Sequence, residues 1–205
     1  MQVLNQNTIN EKYLTSIKKK ILFLGYNSQE TSLINFLLEK GMLVHSSTVL
    51  PENPKYDLII SYGFRQIIPE KFLKSVNYKI VNLHISYLPY NKGAHPIFWS
   101  FYDNSPKGVS IHQVNEKLDC GDILYQEIVN LNELETFRKA YYRLRDKLEK
   151  LFKKNFQNII FEPWMTIPQN VKGTFHRKSD LPKGFLGWDT QIKTEIQRLK
   201  QMENK

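Results

Sequence analysis

Cysteine is nearly missing from this chain. Cys120 stands alone among 205 residues, which excludes an internal disulfide framework and is compatible with a reducing compartment. Long apolar runs are missing too: none approaches the roughly 20 residues that a membrane span needs. Positions 1–20 carry charges and amides but no apolar signal core, so the cytoplasm is the expected compartment. Acidic residues are outnumbered, 20 against 29 basic, for a formal net charge of +9. That balance favours a polyanionic partner, whether nucleic acid, an anionic membrane, a nucleotide or a folate-type polycarboxylate. Much of the excess lies in Lys18-Lys19-Lys20 and in the helically spaced stretch 138–154, where a solvated tail and a solvated helix face account for it. There is no internal repeat and no low-complexity tract, and the length suits one domain with at most a small appendage.

What is present is an alternation of strand-like and helix-like segments. Ile21–Gly25 is a short apolar run that suits a strand buried on both faces. Ser28 is placed to cap a helix running to about Lys40, with Leu33, Phe36 and Leu37 inward and Gly41 ending it. Further strands are expected over 42–50, 57–61, 79–84, 108–114 and 122–130. A short helix is expected over 69–74, one from Pro96 to Tyr102, and a long one over 133–160 with Phe137, Tyr141, Leu144, Leu148, Leu151 and Phe152 inward. Strands alternating with helices predict an α/β fold, a Rossmann-like, mostly parallel sheet whose ligands gather at the carboxyl ends of its strands. The expected organisation is a poorly ordered leader over 1–18, a catalytic domain over 19–160 and a tail over 161–205 packing on it.

Three residues carry chemistry. Asn82 and His84 are two apart on one strand and so share a face, and Asp119 lies in a glycine-containing turn between two later strands. An amide donor, a base near neutral pH and an orienting carboxylate suit acyl transfer to an amine. In that division of labour His84 takes the amine's proton, Asn82 donates to the developing oxyanion, and Asp119 holds the imidazole or a water. No metal is required.

Four stretches fall in register: Asn82-Leu83-His84-Ile85-Ser86-Tyr87-Leu88-Pro89, Lys92-Gly93-Ala94-His95-Pro96-Ile97, Gly108-Val109-Ser110-Ile111-His112 and Leu118-Asp119-Cys120-Gly121-Asp122-Ile123-Leu124. In order and spacing they resemble the N10-formyltetrahydrofolate-dependent formyltransferases. The resemblance implies the formyltransferase fold, with Asn82, His84 and Asp119 as the catalytic trio and N10-formyltetrahydrofolate as formyl donor. Tyr62, Gly63, Phe64, Arg65, Gln66, Ile67 and Ile68 look like the loop that holds the pterin, with Asn115 and Leu118 closing its other side. Ser86, Tyr87, His95 and His112, within the matching stretches, are candidates for substrate binding. Ile85 stands where proline or glycine is usual, and Cys120 replaces a threonine or glycine. The region 49–57 is too short for a further helix and strand, so the sheet should lack one βα unit of larger relatives.

The acceptor is narrowed by what does not match. Glycinamide ribonucleotide formyltransferases carry a Gly- and Ser-rich phosphate loop, whereas Gly25-Tyr26-Asn27-Ser28-Gln29-Glu30 has one glycine and an acid. Initiator-tRNA formyltransferases carry a C-terminal β-domain, for which the residues after 160 leave no room. Formyltetrahydrofolate hydrolases carry an N-terminal regulatory domain not seen here. The short enzymes that formylate nucleotide-linked amino sugars remain, and Lys172–Asp180 is similar to their tails. There His176 and Arg177, beside Lys178, would meet a diphosphate, and Trp164 or Phe175 would stack on a base or sugar face; alternatively these aromatics pin the tail to the sheet. The expected function is formylation of a deoxyamino sugar on dTDP or UDP for surface-glycan synthesis such as lipopolysaccharide O-antigen. The purine-pathway formyltransferase and a non-catalytic basic nucleic-acid-binding protein are the rivals. No membrane or nucleic-acid partner is expected, and a homodimer stays open.

Overall fold

A computed structural model describes residues 18–77 and 79–203. The expected leader thus falls, for residues 1–17, outside the described residues. Six strands form one sheet in the order β2-β1-β3-β4-β6-β7. Here β1 is Lys20–Gly25, β2 Leu43–Ser47, β3 Leu58–Tyr62, β4 Ile80–His84, β6 Gly108–Gln113 and β7 Ile123–Ile128. The first four in that order run parallel; β6 is antiparallel to β4, and β7 to β6. A two-residue ribbon pairs β5 (Lys92–Gly93) with β8 (Phe175–His176) in parallel.

Alternation along the strands sorts side chains to two cores. In β1, Ile21 and Phe23 join one core and Leu22 and Leu24 the other, all fully buried. The larger core is covered by five helices: α1 (Leu33–Glu39), α3 (Pro96–Tyr102), α4 (Phe137–Lys154), α5 (Phe156–Phe161) and α6 (Ile192–Glu203). The smaller is closed by α2 (Glu70–Ser75) through Leu73, with Phe64, Ile68 and Val114 packed at its margin. Each leucine or phenylalanine so enclosed contributes about 1.5–3 kcal/mol. No helix lies between β2 and β3.

Two helices depart from expectation, each at an asparagine. The first helix begins at Leu33 and not after Ser28, because the Asn27 side chain accepts from the Gln29 amide at 2.9 Å and folds 27–30 into a turn. The expected helix over 133–160 starts at Phe137, where the Thr136 hydroxyl accepts from the Lys139 amide at 3.2 Å. It then breaks at Asn155, whose carboxamide donates to the Leu151 carbonyl at 2.8 Å and satisfies a helix-end acceptor. The second strand is also shorter than expected, ending at Ser47, whose hydroxyl bonds to Val49. No helix among the described residues is long and apolar enough to cross a membrane.

After α5 the chain returns across the sheet. Trp164 Nε1 donates to the Ile159 carbonyl at 3.0 Å, Ile167 bridges Ile123, and Phe185 and Trp188 pack edge-on against Phe137.

Candidate active site

Asn82 and His84 end β4 on the face opposite Val81 and Leu83, which belong to the larger core. Antiparallel pairing lays His112 of β6 directly across from Asn82, and Ser110 across from His84. Asp119 arrives from the β6–β7 connection in a left-handed conformation, φ 53°, which an aspartate tolerates better than most residues. Gly121 makes that turn possible: a Cβ there would stand 1.8 Å from the Gln113 carbonyl oxygen.

The expected trio is brought together, with His112 as a fourth member. His112 Nδ1 donates to the Gln113 carbonyl at 2.8 Å, which leaves Nε2 to accept from Asn82 Nδ2 at 3.1 Å. The second N–H of that amide has only a 3.4 Å contact with Asp119 Oδ1. Asp119 Oδ2 accepts from the Gly93 backbone N–H at 2.8 Å and lies 3.8 Å from His84 Nε2. His84 Nε2 is also 3.4 Å from the Asn91 carbonyl. Both contacts exceed an ordinary hydrogen bond, so this nitrogen is uncommitted and can engage an incoming atom.

Burial sets the charge states. Desolvation holds the His84 imidazole below its ordinary value, outweighing the opposing pull of Asp119, so the ring is neutral at neutral pH. Burial also pushes the Asp119 carboxyl up, but His84, His112 and the Gly93 amide together pull it well below the usual carboxylate range. The site therefore pairs a fixed anion with an uncharged imidazole.

Residues invisible to sequence reasoning hold this geometry. Gln169 Nε2 donates to the carbonyls of Asp119 and Gly121, at 3.0 and 2.7 Å, and clamps the turn from outside. Thr174 Oγ1 accepts from the Asn91 amide at 2.7 Å, and the Thr174 carbonyl accepts from Lys92 N at 3.0 Å. Gly93, in a stretch whose motif was visible, acts through its backbone and leaves no side-chain signal.

The expected pterin loop divides. Phe64 and Ile68 pack on the smaller core, on the same sheet face as Asn82 and His84, while Arg65, Gln66 and Ile67 are exposed. Tyr62 corrects the expectation. Its ring is buried on the opposite face, edge-on to Tyr26 at 4.9 Å, so only its backbone can serve that slot. Gly63 takes φ +73° under the Tyr26 ring. On the far side, Asn115 caps its own turn by accepting from Lys117 N at 3.0 Å, and Leu118 is half-exposed.

Four expected substrate residues have other work. The Ser86 hydroxyl is buried and donates to the Tyr90 carbonyl at 2.6 Å. Trp164 pins the tail, as described above. His176 stacks on Trp99 at 4.0 Å and lies 2.9 Å from Asp103, turned away from the cluster. The His95 ring packs 5.3 Å from Trp188. Tyr87 packs beside Gly108, and Arg177 is exposed.

An amide, two imidazoles and an ionised carboxylate converge where β4 meets β6 and the β6–β7 turn, an arrangement suited to proton-coupled group transfer. The chain belongs to the formyl transferase family, whose model matches residues 40–155. It has the formyltransferase fold. It is similar, at 39% identity and a TM-score of 0.80, to the formyltransferase PseJ from Anoxybacillus kamchatkensis, solved with UDP-4,6-dideoxy-4-formamido-L-AltNAc and tetrahydrofolate. That match covers 86% of this chain and 97% of the other. A 4-N formyltransferase from Francisella tularensis shares the fold at a TM-score of 0.72 and 24% identity, over 87% of this chain and 86% of its own. The methionyl-tRNA formyltransferase of Fusobacterium nucleatum is 36% identical over 95 residues, 46% of this chain and 31% of that one. The chain thus spans about a third of the length of such curated relatives.

Proposed function

We propose that this protein transfers a formyl group from N10-formyltetrahydrofolate to the amine of a nucleotide-linked deoxyamino sugar, in the first instance a 4-amino-4,6-dideoxy sugar on UDP. The observation that carries this reading is the 39% identity to a relative that binds such a product together with tetrahydrofolate, over nearly its whole length. The geometry supports the following catalytic roles. The acceptor nitrogen attacks the formyl carbon, a C–N bond forms, and the carbonyl electrons move to oxygen. The free N–H of Asn82 donates to that oxyanion, since its 3.4 Å contact with Asp119 is weak enough to give way. Ionised Asp119 stabilises the positive charge on the attacking nitrogen. Neutral His84 takes that nitrogen's proton and delivers it to N10 as the C–N10 bond breaks, which balances the transfer. Phe64 and Ile68 offer the apolar wall for the pterin.

The product serves surface-glycan synthesis such as O-antigen, in the cytoplasm where folate donors are available, and a homodimer is compatible with this reading. The test is a panel of UDP- and dTDP-linked 4-amino and 3-amino sugars with the formyl donor, read as the mass gain of one formyl group. Formylation of glycinamide ribonucleotide or of methionyl-tRNA, with no sugar nucleotide consumed, would overturn it.

A further inference from the structure

A depression of about 440 Å³ opens beside Asp119, lined by Lys92, Lys117, Leu118, Cys120, Gly173, Thr174 and Phe175. Leu118 and Cys120 flank Asp119 in sequence, so the depression adjoins the reacting centre; its far wall is the returning tail. No lining residue is acidic. Among the described residues neither the Lys92 nor the Lys117 ammonium meets a carboxylate, and Lys92 Nζ has only Cys120 Sγ, at 3.3 Å. Sulfur is a weak acceptor, so an anionic oxygen replaces it readily. Phe175 leaves about half of its side chain uncovered, 51%.

Two cations with no carboxylate partner and an exposed aromatic face, beside an amine-transfer site whose carboxylate is already held by the Gly93 N–H, suit one chemical class. Resting on the sugar-nucleotide reading above, we infer that this depression seats the acceptor's nucleoside diphosphate. Lys92 and Lys117 take the phosphate oxygens, and Phe175 packs its ring against the nucleoside or the first sugar. The expectation that His176 meets the diphosphate is replaced, because His176 faces Trp99 and Asp103. The walls come from both sides of the site, so a bound diphosphate would tie the tail to the Asp119 turn.

The test is calorimetric titration of the full chain with UDP and, separately, tetrahydrofolate, for wild type, Lys117→Glu, Phe175→Ala and Lys92→Met/Lys117→Met. The expected result is that the double variant weakens UDP binding about tenfold or more, from the loss of charge-assisted contacts, with tetrahydrofolate affinity within about twofold of wild type. Lys117 is exposed on a loop, so Lys117→Glu folds even if substitution of Lys92 disturbs β5, and it should weaken UDP at least as much as Phe175→Ala does. UDP binding equal in wild type and variants would overturn the inference and leave the sugar-nucleotide reading standing. Loss of tetrahydrofolate instead of UDP would assign the depression to the donor. Failure of the wild type to bind UDP or dTDP at all, while binding tetrahydrofolate, would overturn both.

Discussion

Within the polar cluster each side chain has a separable job, and single substitutions should separate them. Asn82→Ala and His84→Ala are each expected to cut kcat by about a hundredfold or more, as a lost oxyanion donor or acid–base group does, with circular dichroism unchanged. Full turnover in folded variants would remove the mechanism. His84 also sets a pH dependence. Its folded value lies below 6.5, so as pH falls under 6.5 the unfolded chain binds the extra proton first. Stability therefore drops from 6.5 down to the folded value and is flat beneath it. Asp119 acts in the same direction at lower pH: its stabilisation is present above 3.8 and is lost as pH falls below that. The acid limb of kcat/KM should lie below 6.5; a limb centred above it would mean that the imidazole gains, and does not lose, basicity on folding. Gln169→Ala should lower kcat about tenfold with KM little changed, because it acts only by positioning Asp119. In an Asp119→Asn background the same change should add almost nothing, a non-additivity that a general loss of stability would not show.

Among the elements, α4 anchors the larger core and α2 the smaller. Leu148 is fully enclosed there. Leu148→Ala should therefore cost about 2–5 kcal/mol, read as a lower urea midpoint at unchanged slope. This level was also the most legible from sequence. Short unbroken apolar runs placed β1 and β3, and the spacing Phe137, Leu144, Leu148, Leu151 placed α4, because burial on two faces or on one helix stripe demands those patterns. Some element ends were legible, as at Pro96–Tyr102 and His84, and others were not. Asn27 and Asn132 fold turns that delay a helix, and Asn155 bonds back to stop one, whereas Asn115 makes the same kind of turn with no helix behind it. The trio was legible because Asn82 and His84 share a strand face and Asp119 sits beside a required glycine. The facing of Tyr62 was not, because β3 runs one residue beyond its expected end and the alternation Leu58, Ile60, Tyr62 carries the ring into the larger core. Gln169 was wholly hidden: its partners are carbonyls 50 and 48 residues away.

Across the whole molecule, the tail completes the site. Thr174 holds the Asn91 segment 83 residues away, Gln169 holds the Asp119 turn, and the β5–β8 ribbon fixes Gly93, whose N–H holds the carboxylate. Stability and activity are thus linked through one segment. Gly173 crosses so close to Pro89 that a Cβ there would stand 1.9 Å from its carbonyl oxygen, and backbone cannot yield as a side-chain tip does. Gly173→Ala should therefore lift the tail and lower Tm and kcat together, with about 2–4 °C lost per kcal/mol of destabilisation in a chain of this size. Arg138→Ala is the control. It breaks the exposed bidentate pair with Asp189, also in the tail region but not bonded to Asn91 or Asp119, and exposed pairs contribute little. Its Tm and kcat should stay near wild type. If Gly173→Ala lowers Tm but spares kcat, the tail only stabilises the fold, and the arms around Asp119 keep their geometry without it.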